Sequence, residues 1–313
     1  MRTTSQRGRW WRGWRKDRLW IGVALLALLF GVIQRYHWDA RLYYYLKSQW
    51  TEEAWQGKSL WLPDYRVVIE ARPVEGIHHN LSSILYDPDH DRLLAVSNGP
   101  SEIFALSKTG DLLARYPLRG FGDVEAVGYL GDGLLVIADE RTQQLNFVSL
   151  PGEPGPIHIE DAQFISLGIN LNGNKGFEGV SYDRAHDRLY VVKERDPRQL
   201  YEISGIRASL GKGLHLHIRD LTAWINRSVF GTDLSGVHYD PVTGHLVVLS
   251  DESNLLVELT GEGEFVSFRT LLGHLGDLRH TTPQPEGVTL DAEGNLYIVS
   301  EPNLFYRFSK RAK

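Results

Sequence analysis

From residue 64 onward the chain alternates short apolar runs with clusters of Gly, Asn, Asp and Pro, and the plainest example lies near its end. Residues 285–309 read Pro-Glu-Gly-Val-Thr-Leu-Asp-Ala-Glu-Gly-Asn-Leu-Tyr-Ile-Val-Ser-Glu-Pro-Asn-Leu-Phe-Tyr-Arg-Phe-Ser, a pattern that predicts three strands. Val288 and Leu290 fall in the first, Leu296 to Val299 in the second and Leu304 to Phe308 in the third. Gly294 and Asn295 supply the positive φ that the reversal between the first two needs.

The same unit recurs upstream. Leu81-Ser-Ser-Ile-Leu-Tyr-Asp leads to Leu93-Leu-Ala-Val-Ser-Asn98, Val124-Glu-Ala-Val-Gly-Tyr to Leu134-Leu-Val-Ile-Ala-Asp139, Phe177-Glu-Gly-Val-Ser-Tyr-Asp to Leu189-Tyr-Val-Val-Lys-Glu194, and Leu234-Ser-Gly-Val-His-Tyr-Asp to Leu246-Val-Val-Leu-Ser-Asp251. With Ser82, Glu125, Glu178, Ser235 and Glu286 as equivalent points, the spacings are 43, 53, 57 and 51 residues, the length of a four-stranded propeller blade. Five copies predict an all-β, five-bladed propeller. Segments 112–118, 157–167, 214–218 and 265–271 are the expected outer strands, and the fifth copy stops after three strands. The strand-like run Tyr65-Arg-Val-Val-Ile-Glu-Ala71 can complete that blade and close the ring, leaving no open sheet edge.

The N-terminus follows a different pattern. Seven Lys/Arg and three Trp in residues 1–18 precede the uncharged run Leu19 to Ile33, with Trp20, Tyr36 and Trp38 near its ends. Basic residues ahead of an apolar helix hold that end in the cytoplasm and send the body across the membrane. The run of 15 residues spans about 22 Å, less than the ~30 Å hydrocarbon core. It reads either as a short signal anchor or as a signal peptide; Gln-Arg-Tyr-His-Trp-Asp-Ala after Ile33 offers no small-x-small cleavage site, which favours the anchor. The expected organisation is a basic tail at 1–18, a transmembrane anchor at 19–36, a juxtamembrane linker at 37–63 and the propeller at 64–313. The linker, rich in Tyr and Trp, reads as a short helix at the membrane surface or as a partly ordered connection.

Charge and composition narrow the function. The net charge of −5 hides an asymmetry: of 34 bases and 39 acids, 27 and 38 lie beyond residue 18, a balance of −11 that excludes a basic nucleic-acid surface. The absence of cysteine removes disulfides, thiolate catalysis and thiolate zinc sites. No Gly-x-Ser-x-Gly, Gly-x-x-x-x-Gly-Lys-Ser/Thr or His-Glu-x-x-His motif occurs. His215 and His217 fall on an outer strand facing solvent. His238, on an innermost strand, reads as a channel-lining histidine rather than a base, and His78 and His79 precede the first copy.

Two positions of the repeat carry the candidate chemistry. The innermost strand opens with Glu125, Glu178 or Glu286 in three copies, and the next strand ends at Asn98, Asp139, Glu194, Asp251 and Glu301. Antiparallel neighbours bring the start of one strand and the end of the next to the same edge, here one mouth of the axial channel. Seven carboxylates and an amide converging there repel one another unless some hold protons or a hard, oxygen-ligated cation sits among them, and calcium is the first candidate. Glu125, Glu178 and Glu286, on the innermost strands, are its first-choice ligands. A single acid after a strand commonly just faces water; recurrence at one register is what raises these.

The fifth copy resembles an NHL repeat. More specifically, residues from about 65 to 309, with Asp139-Glu-Arg141, Phe177-Glu-Gly179, Lys193-Glu194 and the run Ile298 to Phe308, resemble the SdiA-regulated family. The resemblance implies a five-bladed propeller, a calcium site and an envelope location behind an N-terminal membrane segment; it implies no reaction. The expected protein is therefore an inner-membrane, periplasm-facing module that binds a protein or small-molecule ligand at a calcium-bearing mouth. The alternative is a calcium-dependent hydrolase of lactonase or phosphotriesterase type.

Overall fold

The computed structural model describes residues 7–35, 38–168, 175–211 and 213–310. The chain divides into two compact units, 1–47 and 48–313. Helix α1 (Arg7–Arg35) belongs to the first, and α2 (Trp38–Trp55) runs across the division. Trp20, Leu25, Leu26, Leu28, Leu29 and Phe30 of α1 are all exposed. No single helix among the described residues is long and apolar enough to cross a membrane; 20–33 and 38–55, bent by 55° at the break, meet that length and composition together.

The second unit is a ring of five antiparallel blades. Strand β1 (Tyr65–Pro73) is followed by blade 1, β2 (Leu81–Asp87), β3 (Arg92–Asn98), β4 (Ser101–Leu106) and β5 (Leu112–Arg119). Blade 2 holds β6 (Val124–Gly131), β7 (Leu134–Asp139) and β8 (Gln144–Ser149); β9 (Ile157–His158) then leaves it to pair in parallel with β5 of blade 1, and β10 (Gln163–Ser166) returns as its outer strand. Blade 3 is β11 (Phe177–Asp183), β12 (Arg188–Lys193), β13 (Gln199–Ser204) and β14 (His217–Asp220). Blade 4 is β15 (Gly236–Asp240), β16 (His245–Ser250), β17 (Leu255–Leu259) and β18 (Phe265–Thr270). Blade 5 is β19 (Pro285–Leu290), β20 (Leu296–Ser300) and β21 (Leu304–Lys310), completed by β1.

The N-terminal strand thus closes the ring as the pattern predicted, with Tyr65 opposite Lys310 and Pro73 opposite Leu304. Two outer strands differ from expectation. The 157–167 segment is split between two blades, because a short parallel pairing covers the edge of blade 1, and the outer strand of blade 3 begins at His217 rather than at residue 214. The innermost strands touch in the cycle β2, β6, β11, β15, β19 and back to β2, which defines the axis. Apolar faces of neighbouring blades pack on one another, as Val96 and Ile103 do on Val127 and Ile137, and Leu93 and Phe104 on Tyr297 and Phe305. Edge N–H groups of innermost strands are satisfied by hydroxyls of the next blade: Tyr239 N donates to Ser181 Oγ at 2.8 Å and Tyr86 N to Thr289 Oγ1 at 3.2 Å.

Ahead of β1 the chain is strapped to blade 4. The buried carboxylate of Glu258 accepts N–H bonds from Leu60 (2.8 Å) and Trp61 (3.0 Å), a hydroxyl bond from Ser267 (2.7 Å) and a contact from His245 Nδ1 (2.8 Å), against whose ring Trp55 packs edge-on. The acids at the opposite ends of the innermost strands have a similar task. Asp87, Asp183 and Asp240 are buried and hold their own turns, Asp183 by bonds from Ala185 N (3.1 Å) and Arg188 Nη2 (2.6 Å).

Candidate metal centre

The acids that open the innermost strands reach the axis through a backbone device. In blade 1 Leu81 pairs with Ser97 and Ser83 with Val96; in blade 2 Val124 pairs with Asp139 and Ala126 with Ala138; blades 3 and 5 repeat this at Phe177/Gly179 and Pro285/Gly287. Ser82, Glu125, Glu178 and Glu286 are therefore the extra residues of β-bulges, which turn a side chain out of the regular alternation. In blade 4 Ser235 N donates to Leu249 O at 3.0 Å while Gly236 pairs with the same leucine. The residue after each bulge is small, because the next blade is in contact there. A Cβ on Gly179 would lie 2.8 Å from Gly236 Cα, and one on Gly287 2.6 Å from Ile84 N.

The second set of acids sits at the same edge, with one shift of register. Asp139 occupies the pairing position of Ser97, Lys193 and Ser300, opposite Val124. The residue that follows is the equivalent of Glu194 and Glu301. Glu140 N donates to Asp123 O at 2.9 Å, as Glu194 N does to Gly176 O and Glu301 N to Gln284 O, both also at 2.9 Å. Blade 2 thus presents Glu140, where the sequence pattern pointed to Asp139. The Asp139 carboxylate instead holds the turn, accepting from Asp123 N (3.1 Å), Thr142 N (2.9 Å) and Thr142 Oγ1 (2.7 Å).

Two groups of carboxylates result, and Glu140 belongs to both. Asp123, Glu125 and Glu140 can bring one oxygen each within 4.8 Å of one another, and so can Glu140, Glu178 and Glu194. Glu125 and Glu140 are buried; Asp123, Glu178 and Glu194 are partly accessible. Asp251, Glu286 and Glu301 are in neither group, although Glu286 lies within electrostatic reach of Asp251, Glu125 and Glu301. Asp123 and Glu140 were not among the acids selected from sequence. A signal was available: Glu140 follows Glu125 by 15 residues, as Glu301 follows Glu286, whereas Asp139 follows by 14.

Burial and mutual repulsion shape the electrostatics. Burial first, then Asp123 and Glu140, push Glu125 up to about 7 against the hydrogen bond it accepts from Asn98. Asn98 Nδ2 donates to Glu125 Oε1, while its own oxygen accepts from Asn80 Nδ2 at 2.6 Å. Burial, followed by Glu125, Glu140 and Glu286, drives Glu178 well above the carboxylate range, and an oxygen of Glu140 lies within 4.8 Å of one of its own. Burial also raises Glu286 well above its ordinary value and takes Glu194 and Asp251 to about 7. Nearby bases offset little of this. Arg195 Nε is 3.0 Å from Glu194 Oε1, Arg141 Nε is 2.6 Å from Asp123 Oδ2, and the buried Lys193 ammonium donates to Arg195 O at 2.9 Å.

The chain matches the SdiA-regulated family over residues 57–309. It belongs to that family. The match takes in all five blades and every acid named above. Solved structures similar to this family member include a luciferin-regenerating enzyme (13% identity, TM-score 0.48, spanning 78% of this chain and 95% of that one). A structural-genomics protein of unknown function from Bacteroides thetaiotaomicron is similar at 13% identity and TM-score 0.43, spanning 75% and 58%. A streptogramin B lyase is similar at 9% identity and TM-score 0.42, spanning 81% and 100%.

The donor set fits a hard cation. It is all oxygen, it is partly buried, and its carboxylates outnumber the bases around them, the arrangement that a divalent ion ligated by roughly six to eight oxygens relieves. His238 stands apart from it on β15. Its Nδ1 is 3.4 Å from Thr289 Oγ1, burial holds its pKa down at about 4, and its buried Nε2 has no protein partner. The Thr289 hydroxyl, which accepts from Tyr86 N, can exchange a hydrogen bond with Nδ1 in either direction, so this contact is open to both imidazole tautomers.

Proposed function

We propose that this family member is a membrane-anchored propeller that binds a divalent cation, calcium in the first instance, at its axial mouth and there recognises a small ligand or a protein. The observation that carries the reading is the pair of acid groups sharing Glu140, in which burial and like charge keep protons on carboxyls that a cation would displace. Glu125, Glu140 and Glu178 would hold the ion, with Asp123, Glu194, Asp251, Glu286 and Glu301 around them. When bound, the ion would cross-link blades and offer a Lewis-acidic site to a ligand oxygen. The protein's own contribution is to aim the carboxylates by bulges and to keep Asn98 donating to Glu125.

Binding is favoured over hydrolysis because His238, the histidine on an innermost strand, belongs to neither acid group and so is not placed to take a proton from a water at the ion. The anchor reading draws on α1, where apolar side chains are exposed on all sides beyond a basic N-terminal segment. On this reading α1 sits in the inner membrane and the propeller in the periplasm. The test is thermal unfolding of chelated protein titrated with calcium and, separately, magnesium. A saturable rise in midpoint that is larger for calcium supports the reading; no rise with either ion refutes it.

A further inference from the structure

Beside the acidic mouth lies a cleft of about 480 Å³ whose lining mixes bases with acids. It opens between blades 3 and 4, where the loops after β12 and before β15 meet, and is lined by Lys175, Arg195, Asp196, Arg198, Thr232 and Glu252. Lys175 pairs with Asp196, and Arg195 with Glu252, so these four charges cancel. Arg198 makes no salt bridge among the described residues, although the buried Asp233 carboxylate lies within electrostatic reach of it. Its Nη1 donates to the backbone oxygens of Val229 (3.4 Å) and Gly231, which fixes the guanidinium plane. Among the described residues its Nε and Nη2 meet no acceptor, and neither is among the buried polar atoms left without a partner, so they are accessible donors on one edge of the guanidinium. Thr232 adds a hydroxyl within 3.3 Å of Ser253 Oγ, and the buried Lys193 ammonium under the Arg195 carbonyl adds positive potential from behind.

We propose that this cleft binds the oxyanion group, carboxylate or phosphoryl, of a small ligand, with Arg198 as its bidentate anchor and Thr232 as a second donor. A planar guanidinium with two free parallel donors matches two oxygens of such a group, and the volume suits a small molecule rather than a chain. The cleft shares the Arg195–Glu194 contact with the acidic mouth, so the two sites adjoin. Anion binding does not depend on whether the axial acids carry a metal.

The test is calorimetric titration of the full chain at low ionic strength, in chelator so that calcium phosphate cannot form, with inorganic phosphate and with succinate in turn. Saturable binding of one of them is expected, and which one binds decides between phosphoryl and carboxylate ligands. Arg198→Lys keeps the charge but loses the fork and is expected to weaken binding about tenfold or more; Thr232→Val weakens it less, and Arg184→Ala, far from the cleft, leaves it unchanged. No saturable binding of either anion overturns the proposal, as does equal binding by the folded Arg198→Lys protein.

Discussion

Replacing Glu140 by Gln removes the one carboxylate common to both acid groups, and Asp139→Gln changes its neighbour, whose oxygens are occupied by Asp123 N and Thr142. Glu140→Gln is therefore expected to lower calcium affinity by about 10- to 100-fold, whereas Asp139→Gln costs stability with little change in affinity; calorimetric titration of both separates the roles. That contrast also shows how far the site was legible. In blade 2 two acids stand side by side, so residue type could not choose between them; the 15-residue spacing from Glu125 points to Glu140, and the pairing of Val124 with Asp139 sets the register. Glu125 and Glu178 could be singled out, together with Glu286 that joins neither group, because a bulge residue recurs at a fixed offset from an apolar pair. Recurrence alone was not diagnostic: Asp87, Asp183 and Asp240 repeat as faithfully, and the first two are held by arginine and backbone partners in their own turns.

The raised carboxyls also set a pH dependence. In the folded metal-free protein Glu125, Glu194 and Asp251 titrate at about 7, above the ordinary values of 4.5 for Glu and 3.8 for Asp. Below the ordinary value both folded and unfolded chains hold the proton and nothing is lost. As pH rises from there through 7 the unfolded chain gives up protons the fold retains, so stability falls across that window and stays reduced above it. Chelated protein is expected to melt at a lower temperature at pH 8 than at pH 5. Calcium inverts the trend, because its binding needs the deprotonated carboxylates and strengthens as pH rises. Melting curves at the two pH values, with and without calcium, check both signs.

At the scale of elements, the blades are held by close approach at the axis and by closure at the rim. Gly179→Ala places a methyl against the Gly236 backbone, and moving the blades apart to admit it is expected to cost ~1–3 kcal/mol, read from denaturant unfolding. Glu258→Ala strips the acceptor from Leu60 N, Trp61 N, Ser267 and His245 and is expected to cost about 3 kcal/mol or more, loosening the strap before β1. Closure by β1 was readable because the fifth copy lacked a strand and 65–71 was a strand without a blade. The excursion of β9 to blade 1 was not, since a two-residue parallel pairing between distant segments leaves no periodic trace.

At the scale of the whole molecule, the proposed anchor rests on the exposed apolar side chains of α1. The full chain is expected to stay with membranes through high-salt and alkaline washing, while a chain lacking residues 1–47 is recovered in the soluble fraction; release of the full chain by salt alone would mean surface attachment only. The most direct measurement is calcium titration of the chelated full-length protein, followed by heat, beside Glu125→Gln, Glu140→Gln and Glu178→Gln. The account predicts saturable binding of calcium to the wild type with release of protons at pH 6.5, binding sharply weakened in all three variants. Saturable binding that all three variants retain, or none in the wild type, would contradict it and leave the axial acids as protonated lining of the channel.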